Sequence, residues 1–151
     1  MKEEDQQTIK DVLRSILDFM EIQAEIETRV SDETLVFNLK TEDSSLLIGQ
    51  HGANLNALQY MTRILSYKKL SEPAYFVVDV EGYKQEREEF LRELAQAAAE
   101  RVRDTKESLL LKPMSSYERR VVHAEISKTT DIMTESVGDE PERRILIKPK
   151  N

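Results

Sequence analysis

Two glycines stand three residues apart in the otherwise helix-patterned stretch SSLLIGQHGANLNALQYMTRILSYKK, residues 44–69, as Gly49-Gln50-His51-Gly52. The chain holds only four glycines, so half of them fall at this one place. Each glycine costs a helix interior roughly 1 kcal/mol relative to alanine, so the pair predicts a break between two helices. Such a break brings bare backbone to the surface where the second helix starts. Unpaired N–H groups and the positive end of the helix dipole favour an anion there, and a phosphodiester suits the place. No GxxxxGK[ST] pattern occurs, which excludes a P-loop. A plain chain reversal would use glycines in the same way, and at this point it stays open.

The pattern around the break gives the element order. Ile9, Val12, Leu13, Ile16 and Met20 recur at helical spacing. Ile22, Ala24, Ile26 and Val30 alternate as a strand, Ser31-Asp32-Glu33 turns, and Leu35, Phe37 and Leu39 return as the second strand of a hairpin. Asp43, Ser44 and Ser45 offer caps to a short helix. Leu55, Leu58, Met61, Ile64 and Leu65 mark a longer helix after Gly52, and AYFVVDV is a β-branched, aromatic strand. This is α-β-β-α-α-β. From Gly82 a long helix presents Phe90, Leu91, Leu94, Ala98 and Val102 to a core, and SLLLKP is a short strand ended by Pro113. SSYERRVVHAEIS is a helix capped by Ser115 or Ser116, and DIMTESV and RRILIKP are strands joined by GDEPE. This is α-β-α-β-β. The expectation is an α+β protein of two small domains, residues 1–81 and 82–151.

Composition narrows the function classes. The absence of cysteine excludes disulfides and thiolate metal sites. Two histidines argue against zinc, so no metal and no cofactor is expected. No apolar run approaches the ~20 residues that span a bilayer, and the acidic N-terminus does not read as a signal peptide. A soluble cytoplasmic protein with no membrane insertion is therefore expected. The net charge of −7 argues against a nucleic-acid partner only until it is divided. Residues 1–81 hold 8 Lys/Arg and 15 Asp/Glu, whereas residues 82–151 hold 14 of each. The second part is free to carry local basic patches.

A second cluster lies in that part. Arg119 and His123 are four residues apart, which puts them on one helix face with Ser116, Arg120 and Ser127, while Tyr117, Val121 and Ala124 should pack inward. A planar guanidinium beside an imidazole can hold a phosphate and stack on a base. A solvated polar face has the same spacing. Catalysis is not expected. HExxH and nucleophile-elbow motifs are absent, and Glu125 points to a different side of the helix from His123.

Ile48-Gly49-x-x-Gly52 between two helices, in an α-β-β-α-α-β order, resembles the type II KH domain, whose GxxG loop clamps about four nucleotides of single strand. Arg119-x-x-x-His123, after a long helix and LLLKPMSSYERR, looks like the R-three-H domain, a single-stranded nucleic-acid-binding module. The two in succession resemble the bacterial Jag family, also called SpoIIIJ-associated proteins, over roughly residues 9–148. ALQYMTRIL, PMSSYERRVVH and GDEPERRILIKP are similar to the corresponding family segments.

The resemblance implies a non-catalytic single-stranded RNA-binding protein. Its KH site would comprise Ile48, Gly49, Gln50, His51, Gly52 and Leu55, with Leu47, Ile48 and Leu55 lining a groove for bases. Arg119, Arg120 and His123 would extend it from the second domain, with Lys112, Arg143 and Arg144 as secondary cations. Single-stranded DNA stays open as a ligand, and so does a homodimer. The alternative is a protein-interaction module that pairs with a small KH-only partner or envelope-associated proteins; the resemblance also implies a link to cell-envelope growth. Two departures matter. Gln50 and His51 stand where relatives commonly carry one or two basic residues, so a direct charge contact is lost or becomes pH-dependent. Many relatives also carry an N-terminal Jag domain, which is expected to be lacking here, so functions tied to it are not carried over.

Overall fold

The computed structural model describes residues 1–151. The chain divides into two compact units, Met1–Lys84 and Gln85–Asn151. Each has its own hydrophobic core, and each mixes helices with a three-stranded sheet. The α+β class expected from the sequence pattern is the class found.

In the first unit, α1 (Glu3–Phe19) precedes a hairpin of β1 (Glu25–Ser31) and β2 (Thr34–Lys40). There follow α2 (Ser44–Ile48), a single 3-10 turn (Gln50–Gly52), α3 (Ala53–Tyr67) and β3 (Phe76–Val80). The sheet order is β1-β2-β3. β1 and β2 are antiparallel, and β2 and β3 are parallel, with Leu35 opposite Phe76. Parallel neighbours need a crossover, and α2 and α3 supply it. Ile9, Leu13 and Leu17 of α1 and Leu55 and Leu58 of α3 pack onto Phe37, Leu39, Phe76, Val78 and Val80. Phe37 and Phe76 meet edge to face, centroids 5.7 Å apart, a contact worth about 1 kcal/mol beyond its buried area.

Two expectations about this core are corrected. β1 is an edge strand and largely exposed: Val30 keeps 72% of its surface, while Ile22 is buried ahead of the strand. In α3 the buried positions are Leu55, Leu58, Thr62 and Ser66, and Met61, Ile64 and Leu65 stay exposed. A helix lying on one side of a small sheet buries one stripe, and the register here gives that stripe two hydroxyl residues. Thr62 donates its hydroxyl to Leu58 O at 2.7 Å, but the buried Ser66 hydroxyl has no partner.

Three polar contacts fix the layers. Asp5 accepts from the Ser71 N–H (2.9 Å) and hydroxyl (2.7 Å), tying α1 to the loop after α3. Gln59 accepts from the Val78 N–H at 2.6 Å and donates to Phe76 O at 3.2 Å, closing part of the open edge of β3. The buried Asp79 carboxylate accepts from the N–H groups of Val80 and Lys84.

α4 (Tyr83–Thr105) leads into the second unit, followed by β4 (Leu109–Leu110), α5 (Ser116–Ile126), β5 (Ile132–Val137) and β6 (Arg144–Pro149). The sheet order is β4-β6-β5, all antiparallel. Leu91, Ala95, Ala98, Ala99 and Val102 of α4 pack with Val122, Ile126, Ile132, Ile145 and Ile147. Phe90, expected in the core, is 51% exposed with the Arg87 guanidinium 5.2 Å from its ring. The inward face of α5 is also corrected. It is formed by Glu118, Arg119, Val122 and Ile126, while Tyr117 and Ala124 are exposed and Val121 is half-buried. Tyr117 donates its hydroxyl to Glu88 at 2.8 Å instead.

Candidate nucleic-acid interface

The glycine pair shapes the turn between α2 and α3 through backbone geometry and close contacts that disfavour a side chain at either position. Gly49 has φ +69° and ψ −171°, a region populated essentially by glycine. A Cβ there would also fall 2.5 Å from Asn54 Cγ. Gly52 is left-handed at φ +80°, and its Cβ would fall 2.9 Å from the Tyr83 ring. His51 between them is left-handed as well, at φ +52°. Asn54 donates to Leu46 O at 2.8 Å, stapling the start of α3 to a carbonyl at the end of α2. With glycine at its N-cap, α3 has no side-chain cap across its first turn. Gln50 and His51 are exposed and Gly49 is half-buried, but Gly52, expected as bare surface backbone, is buried because the Tyr83 ring lies over it.

The apolar flank differs from expectation. Leu55 is fully buried and Leu47 nearly so, both in the first unit's core, because each faces the sheet. Neither can meet a base without unfolding the core. Ile48 is half-buried and packs against the same core. The exposed leucine beside the turn is Leu46.

In the second unit a reciprocal cap starts α5. Ser115 Oγ accepts from the Glu118 N–H, and Glu118 accepts from the Ser115 N–H. Glu118 also receives Arg87 Nε at 2.8 Å, so its buried carboxylate is compensated. Arg119 does not stand on the surface beside His123. Its guanidinium turns inward and donates to Met114 O at 2.7 Å and Glu140 at 2.6 Å, leaving the side chain 10% exposed. It ties the start of α5 to the β5–β6 loop. His123 is exposed, with Nδ1 against the Thr134 hydroxyl. Arg120 is exposed and joins no ion pair.

The segment Leu111–Met114 runs beside the start of β6, through Leu111 N–H to Ile145 O (2.9 Å) and Met114 N–H to Arg143 O (3.2 Å). This brings exposed Lys112 near Arg143 and Arg144 along the chain's backbone pairing. Arg143 donates to the Ser136 hydroxyl at 2.8 Å, and Arg144 pairs with Glu142 at 3.2 Å. Sequence reasoning missed the supporting residues Asn54, Tyr83, Thr134 and Glu140, which carry no motif of their own; only the Ser115-x-x-Glu118 pattern had a readable signal.

The two units are a KH domain followed by an R-three-H domain. The family model described as KhpA/KhpB, KH domain matches residues 6–80, and that of the R-three-H domain matches residues 89–149. Several relatives carry the name RNA-binding protein KhpB. The protein of Clostridium symbiosum is 35% identical over 131 residues, 87% of this chain and 59% of the relative. That of Lactiplantibacillus plantarum is 29% identical over 137 residues, 91% of this chain and 42% of the relative. That of Bacillus subtilis is 32% identical over 146 residues, 95% of this chain and 70% of the relative. The chain belongs to the KhpB family, the one to which the motifs pointed under the name Jag. It spans less than two thirds of the first two relatives. No helix is long and apolar enough to cross a membrane.

Proposed function

We propose that this chain binds single-stranded RNA in the cytoplasm and catalyses no reaction on it. The reading is carried by the turn at Gly49–Gly52, in which Asn54 packs against Gly49 and the Tyr83 ring covers Gly52, leaving Gln50 and His51 exposed beside the start of α3, which has no side-chain cap. A sugar-phosphate strand gains from the positive end of the helix dipole and from the exposed Gln50 and His51 side chains there. Arg120 and His123, with Lys112, Arg143 and Arg144, supply side-chain contacts from the R-three-H domain. Arg119 then acts as a scaffold for that face. The name of the relatives supports the ligand class, and a role in cell-envelope growth is the finer part of the proposal.

The test is titration of labelled single-stranded RNA at several salt concentrations, with single-stranded DNA as the comparison ligand. Affinity should fall log-linearly with salt. Changing Gln50 and His51 together to Asp should weaken it at least tenfold with the fold intact. Undetectable or salt-insensitive binding would overturn the reading.

A second reading, a protein-interaction module docking a small KH-only partner or an envelope-associated protein, is favoured by one observation. Tyr60, Met61, Ile64 and Leu65 form an exposed apolar face on α3. Co-purification of a partner that survives nuclease and high salt, and is lost on changing Ile64 to Asp, would support it; loss of the partner with nuclease would return the weight to RNA.

A further inference from the structure

We propose that Tyr75 and Arg63 form a stacking seat for a nucleobase of single-stranded RNA, at the end of α3 away from the glycine turn. The inference rests on the RNA-binding reading and extends it to a second point of contact on the KH domain.

Tyr75 immediately precedes β3 and keeps 69% of its surface, while the Arg63 guanidinium carbon lies 5.8 Å from the ring centroid. A ring and a planar cation together offer two surfaces on which a base of any sequence can stack. Arg63 follows Ala53 by ten residues of continuous helix, about 15 Å along the axis. That matches the reach of a strand of about four nucleotides held at a GxxG loop.

Charge favours the same place. Residues 1–81 are strongly acidic, with 8 Lys/Arg against 15 Asp/Glu, yet Arg63 lies close to a second cation, Lys84. Burial, with Arg63 nearby, pushes the Lys84 ammonium down from its usual range against the pull of Asp79. Tyr75 also lines a hollow with Asp5 and Glu72. Asp5 is already bonded to Ser71, and Lys2 lines the same hollow, so its two carboxylates do not make it a barrier to a strand.

Gln59, one turn before Arg63, decides against the commonest alternative occupant. It takes both the Phe76 carbonyl and the Val78 N–H, so an incoming peptide strand finds this stretch of the β3 edge closed. Stacking and charge remain available.

The chain contains no tryptophan, so Tyr75→Trp creates a single fluorescent reporter at the seat. With a mixed-sequence single-stranded RNA 12-mer and the full chain, three proteins should suffice. Tyr75→Ala should bind about tenfold more weakly than the parent, the order expected for one stacked base. Tyr75→Trp should bind as tightly as the parent, and its emission should change in step with binding. Tyr75→Ala binding at parental strength, or Trp emission unmoved at saturating RNA, would overturn the seat and leave RNA binding at the glycine turn standing. A parent protein that binds no RNA would overturn the broader reading and the seat with it. Circular dichroism of Tyr75→Ala separates lost binding from lost fold.

Discussion

The glycine turn of the KH domain and the Arg/His helix of the R-three-H domain carry the two motifs of the sequence, and they are built in opposite ways. At the turn, the motif residues remove side chains and the supporting work falls on Asn54 and Tyr83. On α5, a motif residue is itself the support. Arg119 is buried and doubly bonded, and the exposed groups are its neighbours Arg120 and His123. A signature residue therefore need not be a contact residue. Losing Arg119 should damage the fold before it damages a binding surface, whereas losing Gln50 or His51 should do the reverse.

The largest effect should follow Gly49→Val. It forces a β-branched side chain into a glycine-only region and onto Asn54, at a cost of about 3 kcal/mol, read from urea unfolding of the full chain. If Gln50→Val costs as much, the turn is not shaped by Gly49. Next comes Arg119→Ala, at about 2 kcal/mol, because Met114 O loses its buried donor. RNA affinity of the protein still folded should stay within about twofold of the parent. An Arg119→Ala protein of full stability that no longer binds RNA would reverse the roles assigned to Arg119 and Arg120.

The two cores differ as well. Buried Glu118 and Arg119 in the R-three-H domain each have two or more polar partners, but the buried Ser66 hydroxyl in the KH domain has none. Ser66→Ala should stabilise the protein by about 1 kcal/mol, and a destabilised variant would point to a partner for that hydroxyl. The smallest effect concerns acid. Donation from the Ser71 N–H and hydroxyl holds the Asp5 carboxyl below its usual range. A depressed value in the folded state means stabilisation that is present above the ordinary aspartate range of about 4 and lost as pH falls through the folded value. Stability of Asp5→Asn measured from about pH 6 to 3 should decline less steeply than that of the parent.

Much of the fold was legible because periodicity and glycine scarcity are properties of the chain alone. Helical spacing in α1, alternation in β2 and the Gly49/Gly52 break each reported directly on local structure. Spacing gives only an angular position, however. It placed Arg119 beside His123 but could not say that a long side chain would bend under the helix to reach Glu140. It marked Met61, Ile64 and Leu65 as one more apolar stripe of α3 without showing which stripe meets the sheet. Leu55 was read as groove-lining for the same reason: the first turn of α3 faces the core, and only the packed structure reveals that.

The ring of Tyr83 fills the space in which a side chain at position 52 would have to sit. The two positions are therefore coupled. An alanine at 52 meets steric opposition that a smaller residue at 83 would relieve, so the cost of the pair of changes should be less than the sum of the two. Across relatives, such positions are expected to vary in concert, and a lone change at either one should be rare.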